Sequence, residues 1–227
     1  MIEARNVAKH FGRFSALRGL DLRVPAGEFV ALFGNNGAGK TTLLRILAGL
    51  ARPSSGTVQV GAPRPFARGA IGYLSHETSL YMDLTAMENL RFYARMMRTA
   101  SDRGFLLGRM QLVGLAGREG EPVRNFSRGM QQRLAIARAL LHDPEVLILD
   151  EPFTGLDAAG ADYLAGYLAG AHARGKTCIM ATHDTRKGFD LADRLVVIDR
   201  GAVVLDERKA PAGYEAFRAR WVELTKS

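Results

Sequence analysis

Cysteine, tryptophan and long apolar runs are all scarce in this chain of 227 residues. Its one cysteine, Cys178, excludes an internal disulfide, and the apolar residues around it suit a buried thiol. No stretch approaches the ~20 consecutive apolar residues that a membrane-spanning helix needs. The segment from Met1 to Asn6 lacks the apolar centre of a secretory signal, so the expected location is cytoplasmic. Internal repeats and low-complexity linkers are missing too. So is any basic-aromatic RNA-binding motif, and no nucleic-acid partner is expected. Acidic residues are the minority: the formal net charge is +8. The arginines are spread along the chain, which leaves two readings open, a solvated arginine-rich surface or a face turned to anionic lipid. With 47% hydrophobic and 24% charged residues, the composition is that of a globular protein with a real core.

Against this ordinary background one segment stands out. Gly34-Asn35-Asn36-Gly37-Ala38-Gly39-Lys40-Thr41 is a complete G-x-x-x-x-G-K-[ST] phosphate-binding loop. The apolar run Val30 to Phe33 before it suits a buried strand, and Thr41 to Leu47 after it suits a helix. Glycine lets the backbone turn and approach a ligand without an intervening Cβ. The freed N–H groups form an anion nest at the positive end of the helix. The candidate nucleotide-binding residues are therefore Asn35, Asn36, Gly37, Ala38, Gly39, Lys40, Thr41 and Thr42. Lys40 is expected to reach the β- and γ-phosphates of ATP, and the Thr41 hydroxyl to ligate Mg²⁺.

A second segment, Val146 to Leu149 followed by Asp150 and Glu151, reads as a buried parallel strand ending in two acids. Ligand sites in open α/β sheets gather at such carboxyl ends. Asp150 is the expected Mg²⁺ partner, and Glu151 is expected to face the γ-phosphate.

Short strands are expected over 2–9, 19–24, 28–33, 57–60 and 70–74, with a helix-rich stretch from about 85 to 117. Helix and strand then alternate to about 206. That order predicts an α/β core with a helical insertion.

Phe126-Ser127-Arg128-Gly129-Met130-Gln131-Gln132-Arg133 resembles the signature of ATP-binding-cassette (ABC) ATPases. With the other motifs in order, nearly the whole chain resembles an ABC-transporter nucleotide-binding domain. The resemblance implies a P-loop NTPase core of mixed sheet and helices, an antiparallel β subdomain and an α-helical signature subdomain. The expected division is one domain over 1–227, with a core of about 1–75 and 145–210. The helical lobe covers about 77–140, and a C-terminal helix about 211–227.

The resemblance also implies roles. Phe11 matches the aromatic that stacks on adenine, although a core Phe is the plain alternative. Ser127 and Gly129 open a helix whose positive end would bind the ATP of a second subunit, giving a two-fold homodimer around two ATP molecules. Glu151 would act on the attacking water, Gly155 to Asp157 would form the dimer-contact loop, and His183 would bond the γ-phosphate and hold Glu151. His76 stands where the family carries Gln, the residue that touches Mg²⁺ and the water, and either takes over that task or merely anchors the loop. Arg128 and Met130 also depart from the usual signature.

Integral membrane permease subunits are the implied partners, at the cytoplasmic face of a bacterial inner membrane. Leu74 to Glu77, Leu84 to Leu90 and the signature further resemble the haem-exporter ATPases of bacterial cytochrome c maturation, traits shared by other short export ATPases, so the subunit of a drug, lipid or polysaccharide exporter is the alternative. A soluble ABC ATPase or a P-loop kinase fits less well, because the span from Lys40 to Asp150 has no heptads and a kinase lacks the signature.

On the predicted lobe, Leu84, Met87, Leu90, Ala94 and Met97 share one helical stripe, with Phe92, Tyr93 and Met96 off it. The off-stripe residues are either core or a groove for a membrane subunit's helix. Tyr214, Phe217, Trp221 and Leu224 form a second stripe, expected to pack on the domain itself.

Overall fold

Helix α1 (Lys40–Leu47) lies between two sheets and buries residues against both. The computed structural model describes residues 1–61, 71–210 and 213–225. The smaller sheet is antiparallel, in the order β2 (Phe14–Val24), β1 (Ile2–Phe11), β4 (Ser55–Val60). The larger has six strands: β5 (Ile71–Leu74), β6 (Val146–Asp150), β7 (Thr177–Ala181), β3 (Phe29–Phe33), β8 (Arg194–Asp199) and β9 (Ala202–Arg208), in that spatial order. All its neighbours pair in parallel except β8 and β9.

Every residue of β3, β6 and β7 is buried, as central parallel strands covered on both faces should be. The pleat divides β6 between two cores. Val146 and Ile148 join α1 and the small sheet, while Leu147 and Leu149 join the helical side.

The helical side contains α2 (Ala86–Met96), α3 (Arg103–Leu112), α4 (Arg128–Ala139), α5 (Ala158–Ala173) and α6 (Thr185–Leu191). Each of these five begins at a polar cap. Thr85 and Glu88 form a reciprocal capping box on α2, and the side chains of Asp102, Ser127, Asp157 and Asp184 accept from the first turns of the others. The stripe on α2 packs inward at Met87, Leu90 and Ala94, with Leu84 and Met97 half-buried, and leaves Phe92 and Met96 exposed.

The last helix, α7 (Tyr214–Leu224), docks through Phe217, which is fully buried with its ring 4.9 Å from that of Phe33. Tyr214 and Trp221 pack beside it, and Leu224 is exposed. Ala70 of the predicted fifth strand, and residues 211, 212, 226 and 227 of the predicted C-terminal helix, lie outside the described residues.

One expectation needs correction. The helix–strand alternation predicted to about 206 stops at β8, which turns directly into β9. Arg200 and Gly201 have φ of 45° and 82°, the two left-handed positions of a tight hairpin turn.

Cys178 lies inside β7 with no exposed surface, and burial pushes its thiol up to about 12. The folded protein should therefore resist alkylation by iodoacetamide at pH 8 and react rapidly once unfolded in guanidinium. Mass spectrometry of the two samples checks this, and equal labelling rates would contradict the burial of β7.

Candidate active site

The phosphate loop joins β3 to α1 and is wedged between the two sheets. At Gly34 (φ 150°) an added Cβ would come within 2.2 Å of the Ile198 carbonyl oxygen. At Gly39 (φ 109°) it would lie 2.6 Å from the Ala16 oxygen. Only glycine fits either position, so the hairpin strands on both sides mould the loop.

The loop forms one wall of an open cleft of about 300 Å³, within the size range of small-molecule sites. Asn35, Asn36, Gly37, Ala38, Gly39, Lys40, Thr41 and Thr42 line it together with His76, Asp150 and Glu151. Residues far apart in sequence are thus brought to one place by the carboxyl ends of β3, β5 and β6.

Two charges of opposite sign are buried there. Lys40 is 8% exposed, and its Nζ donates to the carbonyl oxygens of Gly34 at 2.6 Å and Asn35 at 3.2 Å. Burial lowers its pKa, opposed by the charges of Glu151 and Asp150. Asp150 is 1% exposed; burial raises its pKa, and the neighbouring Thr41 hydroxyl pulls the other way. Its Oδ2 is buried without a hydrogen-bond partner. A hydroxyl beside a carboxylate oxygen with a free lone pair is the hard-oxygen donor set that fits Mg²⁺. The Asn35 side chain faces away from the loop's interior and donates to the Thr225 carbonyl at the end of α7, at 3.0 Å.

Glu151 takes a left-handed backbone, φ 53°, while its N–H still donates to the Ala181 oxygen of β7 at 2.9 Å. This turn swings its side chain into the cleft. Its Oε2 accepts from the His183 backbone N–H at 3.2 Å and lies 2.7 Å from His183 Nδ1. The pairing of Glu151 with His183 expected from sequence is therefore present. His183 itself is largely exposed and does not line the cleft. His76 is exposed on the loop after β5, and its charge tends to lower the pKa of Asp150.

Ser127 and Gly129 lie elsewhere. Ser127 caps α4, with Oγ accepting from the Met130 N–H at 3.3 Å, and neither residue lines the cleft. Gly129 packs on the loop before α5 instead: a Cβ there would lie 2.9 Å from the Gly155 oxygen. Arg133 donates to Asp157 at 2.6 Å, tying the same helix to the same loop.

Phe11 is 55% exposed, with Lys9 Nζ 5.1 Å from its ring centre, which rules out the core alternative. It does not line the cleft. Phe14, its register partner across the β1–β2 hairpin, does, as does Ala16. Sequence reasoning missed Phe14. Its signal was the two-residue Gly12-Arg13 turn, which sets the two rings opposite each other.

Residues 17–154 match the family model for the ABC transporter. The sulfate/thiosulfate import ATP-binding protein CysA of Rhodopseudomonas palustris is 40% identical over 216 residues, covering 89% of this chain and 61% of that protein. The Nod factor export ATP-binding protein I of Burkholderia orbicola is 38% identical over 212 residues, covering 90% of this chain and 70% of that one. The chain thus spans about six tenths of the length of the sulfate importers it matches. Among solved structures, the ATP-binding cassette MJ0796, a dimer in a post-hydrolysis state bound to ADP and Pi, superposes with a TM-score of 0.83 at 28% identity. That match covers 92% of this chain and 99% of that one. The chain belongs to the ABC transporter family. It has the ABC ATPase fold, with the antiparallel β subdomain and the helices that this fold carries.

The buried, half-partnered carboxylate of Asp150 counts against stability when no ligand is bound. A carboxylate whose folded pKa is raised destabilises the fold at neutral pH, and that penalty disappears as the pH falls through the folded value. Asp150→Asn should therefore raise the thermal midpoint of the nucleotide-free protein in EDTA at pH 7. Relieving a penalty of about 1–3 kcal/mol corresponds to ~2–4 °C per kcal/mol at this chain length. The same variant should lose the stabilisation that Mg-ATP gives the wild type. Calorimetry with and without Mg-ATP checks both halves.

Proposed function

We propose that the chain is the ATP-hydrolysing subunit of a membrane transporter and works as a two-fold homodimer. One observation carries this reading. The cleft holds the phosphate loop, both strand-end acids and His76, yet the second anion-binding helix end, at Ser127 and Gly129, lies outside it. A second copy supplies what the first lacks. A related cassette that is a dimer with ADP and Pi supports the reading.

In this reading the loop N–H groups from Asn36 to Thr42 and the ammonium of Lys40 bind the phosphate chain of ATP. To do so, Lys40 leaves the carbonyl oxygens of Gly34 and Asn35. Mg²⁺, held by Thr41 and Asp150 with His76 nearby, would neutralise charge on the phosphate oxygens. Glu151 orients the attacking water and takes its proton. His183 holds Glu151 and, from its exposed position, also reaches the γ-phosphate. His76 lines the same cleft as the acids and is the further candidate to position this water. The adenine base leaves the cleft past Phe14, and Phe11 adds a second ring on the same sheet face. Ser127 and Gly129 of the partner copy close over the γ-phosphate.

The transport partners are integral membrane permease subunits, which place the chain at the cytoplasmic face of the membrane. No helix among the described residues is long and apolar enough to cross a membrane. Cargo and direction are finer matters. The relatives above carry names of sulfate import and Nod factor export, and none names haem. Haem export rests on the motifs at 74–90 and 126–133 alone, and co-purification with its membrane subunit is the test of it.

Two variants separate binding from chemistry. Lys40→Ala should weaken ATP binding on the order of tenfold or more, because a charge-assisted contact to phosphate is lost. Glu151→Gln should bind ATP normally and lose turnover by ~100-fold. In light scattering, Glu151→Gln with Mg-ATP should run as a dimer and with ADP as a monomer. A monomer in both, at tens of micromolar protein and saturating nucleotide, would contradict the shared site.

A further inference from the structure

Arg138 lies in the last turn of α4, buried to 7% exposure, with no carboxylate partner among the described residues. A buried cation without an acid is costly, and with its Nε buried without a hydrogen-bond partner, Arg138 depends on what its two Nη groups reach. Its Nη2 donates to the Tyr73 oxygen at 3.2 Å and its Nη1 to the Ser79 oxygen at 3.4 Å. These two carbonyls are the feet of the loop that carries His76.

The same loop is held from α2. The Tyr93 hydroxyl donates to the Ser79 oxygen at 2.5 Å, and the Tyr93 ring lies 5.1 Å from the Arg138 guanidinium carbon. Within the loop, Ser75 Oγ bonds the Glu77 oxygen, and Ser79 sits in a left-handed conformation at φ 49°. Just past the loop, the fully buried Asn89 brackets Tyr81 with bonds to both its N–H and its carbonyl. The loop that carries His76 is therefore tied down at both ends, and one planar cation spans both feet.

The other end of α4 is capped by Ser127. One helix thus carries the partner-facing anion site at its start and the clasp on the His76 loop at its end. From this geometry we infer that Arg138 is a positioning residue, holding His76 over the acids of its own cleft in register with the signature helix. This inference rests on the proposed ATPase function.

Three variants test it: Arg138→Met, which keeps the volume and removes the charge; Arg138→Lys, which keeps the charge but offers a point donor in place of a planar fork; and His76→Ala. Arg138→Met should lower kcat on the order of 10- to 100-fold, as small misplacements do, with the ATP dissociation constant within about twofold of wild type. Arg138→Lys should recover part of the loss. The double variant Arg138→Met with His76→Ala should be no slower than the worse single variant, because both remove the same positioned group. In hydrogen exchange, the amides of residues 75–81 should lose protection in Arg138→Met while those of β6 and β7 keep theirs.

Multiplying losses in the double variant would overturn the inference, as would unchanged protection of residues 75–81. Equal damage to kcat and to ATP affinity would make Arg138 a merely structural residue. The underlying ATPase reading fails separately, if Glu151→Gln turns over like wild type. The exchange measurement stands whatever the turnover.

Discussion

Burying a carboxylate and an ammonium together, at the carboxyl ends of β6 and β3, is the constraint that organises this molecule. Asp150 and Lys40 are both almost fully withdrawn from water, and burial pushes each toward its neutral form. Neither has an ion-pair partner within bonding distance among the described residues. Lys40 satisfies itself on two loop carbonyls, while one oxygen of Asp150 is left without a partner. Much of the surrounding architecture serves to hold them there. Three fully buried parallel strands supply the low-dielectric floor, and two glycines at close backbone approach fix the loop above it. A ligand that brings anionic oxygens and a divalent cation would offset both desolvation costs at once.

The same sheet separates two cores of different build. The α1 side is a compact wedge between sheets, suited to holding the phosphate loop still. The other side is built of capped helices, several of which begin on motif residues: Ser127 caps α4 and Asp157 caps α5. Arg133 joins these two starts, and Gly129 lies against Gly155. The starts of α4 and α5 are therefore tied to one another, outside the cleft.

Local patterns were legible in the sequence. The phosphate loop, the acids after β6 and the signature are contiguous, and each sits on a strand end or helix start whose apolar run announces it. The pairing of Glu151 with His183 was legible only through family spacing. The β8–β9 hairpin was misread because Arg200 gives no turn signal and only Gly201 does. Phe14 was missed because its position depends on register across a hairpin, and Arg138 because a buried arginine in a helix looks like surface until its carbonyl partners, more than fifty residues away in the chain, are placed.

Glu151 holds a backbone conformation that a non-glycine residue adopts at a cost of about 1 kcal/mol or more. Glycine at that point would relax the turn, and so would asparagine in part. A chain selected only for thermal endurance would drift toward those residues and away from the acid. The strain at this position thus sets thermal endurance against a carboxylate in the cleft, within a single residue.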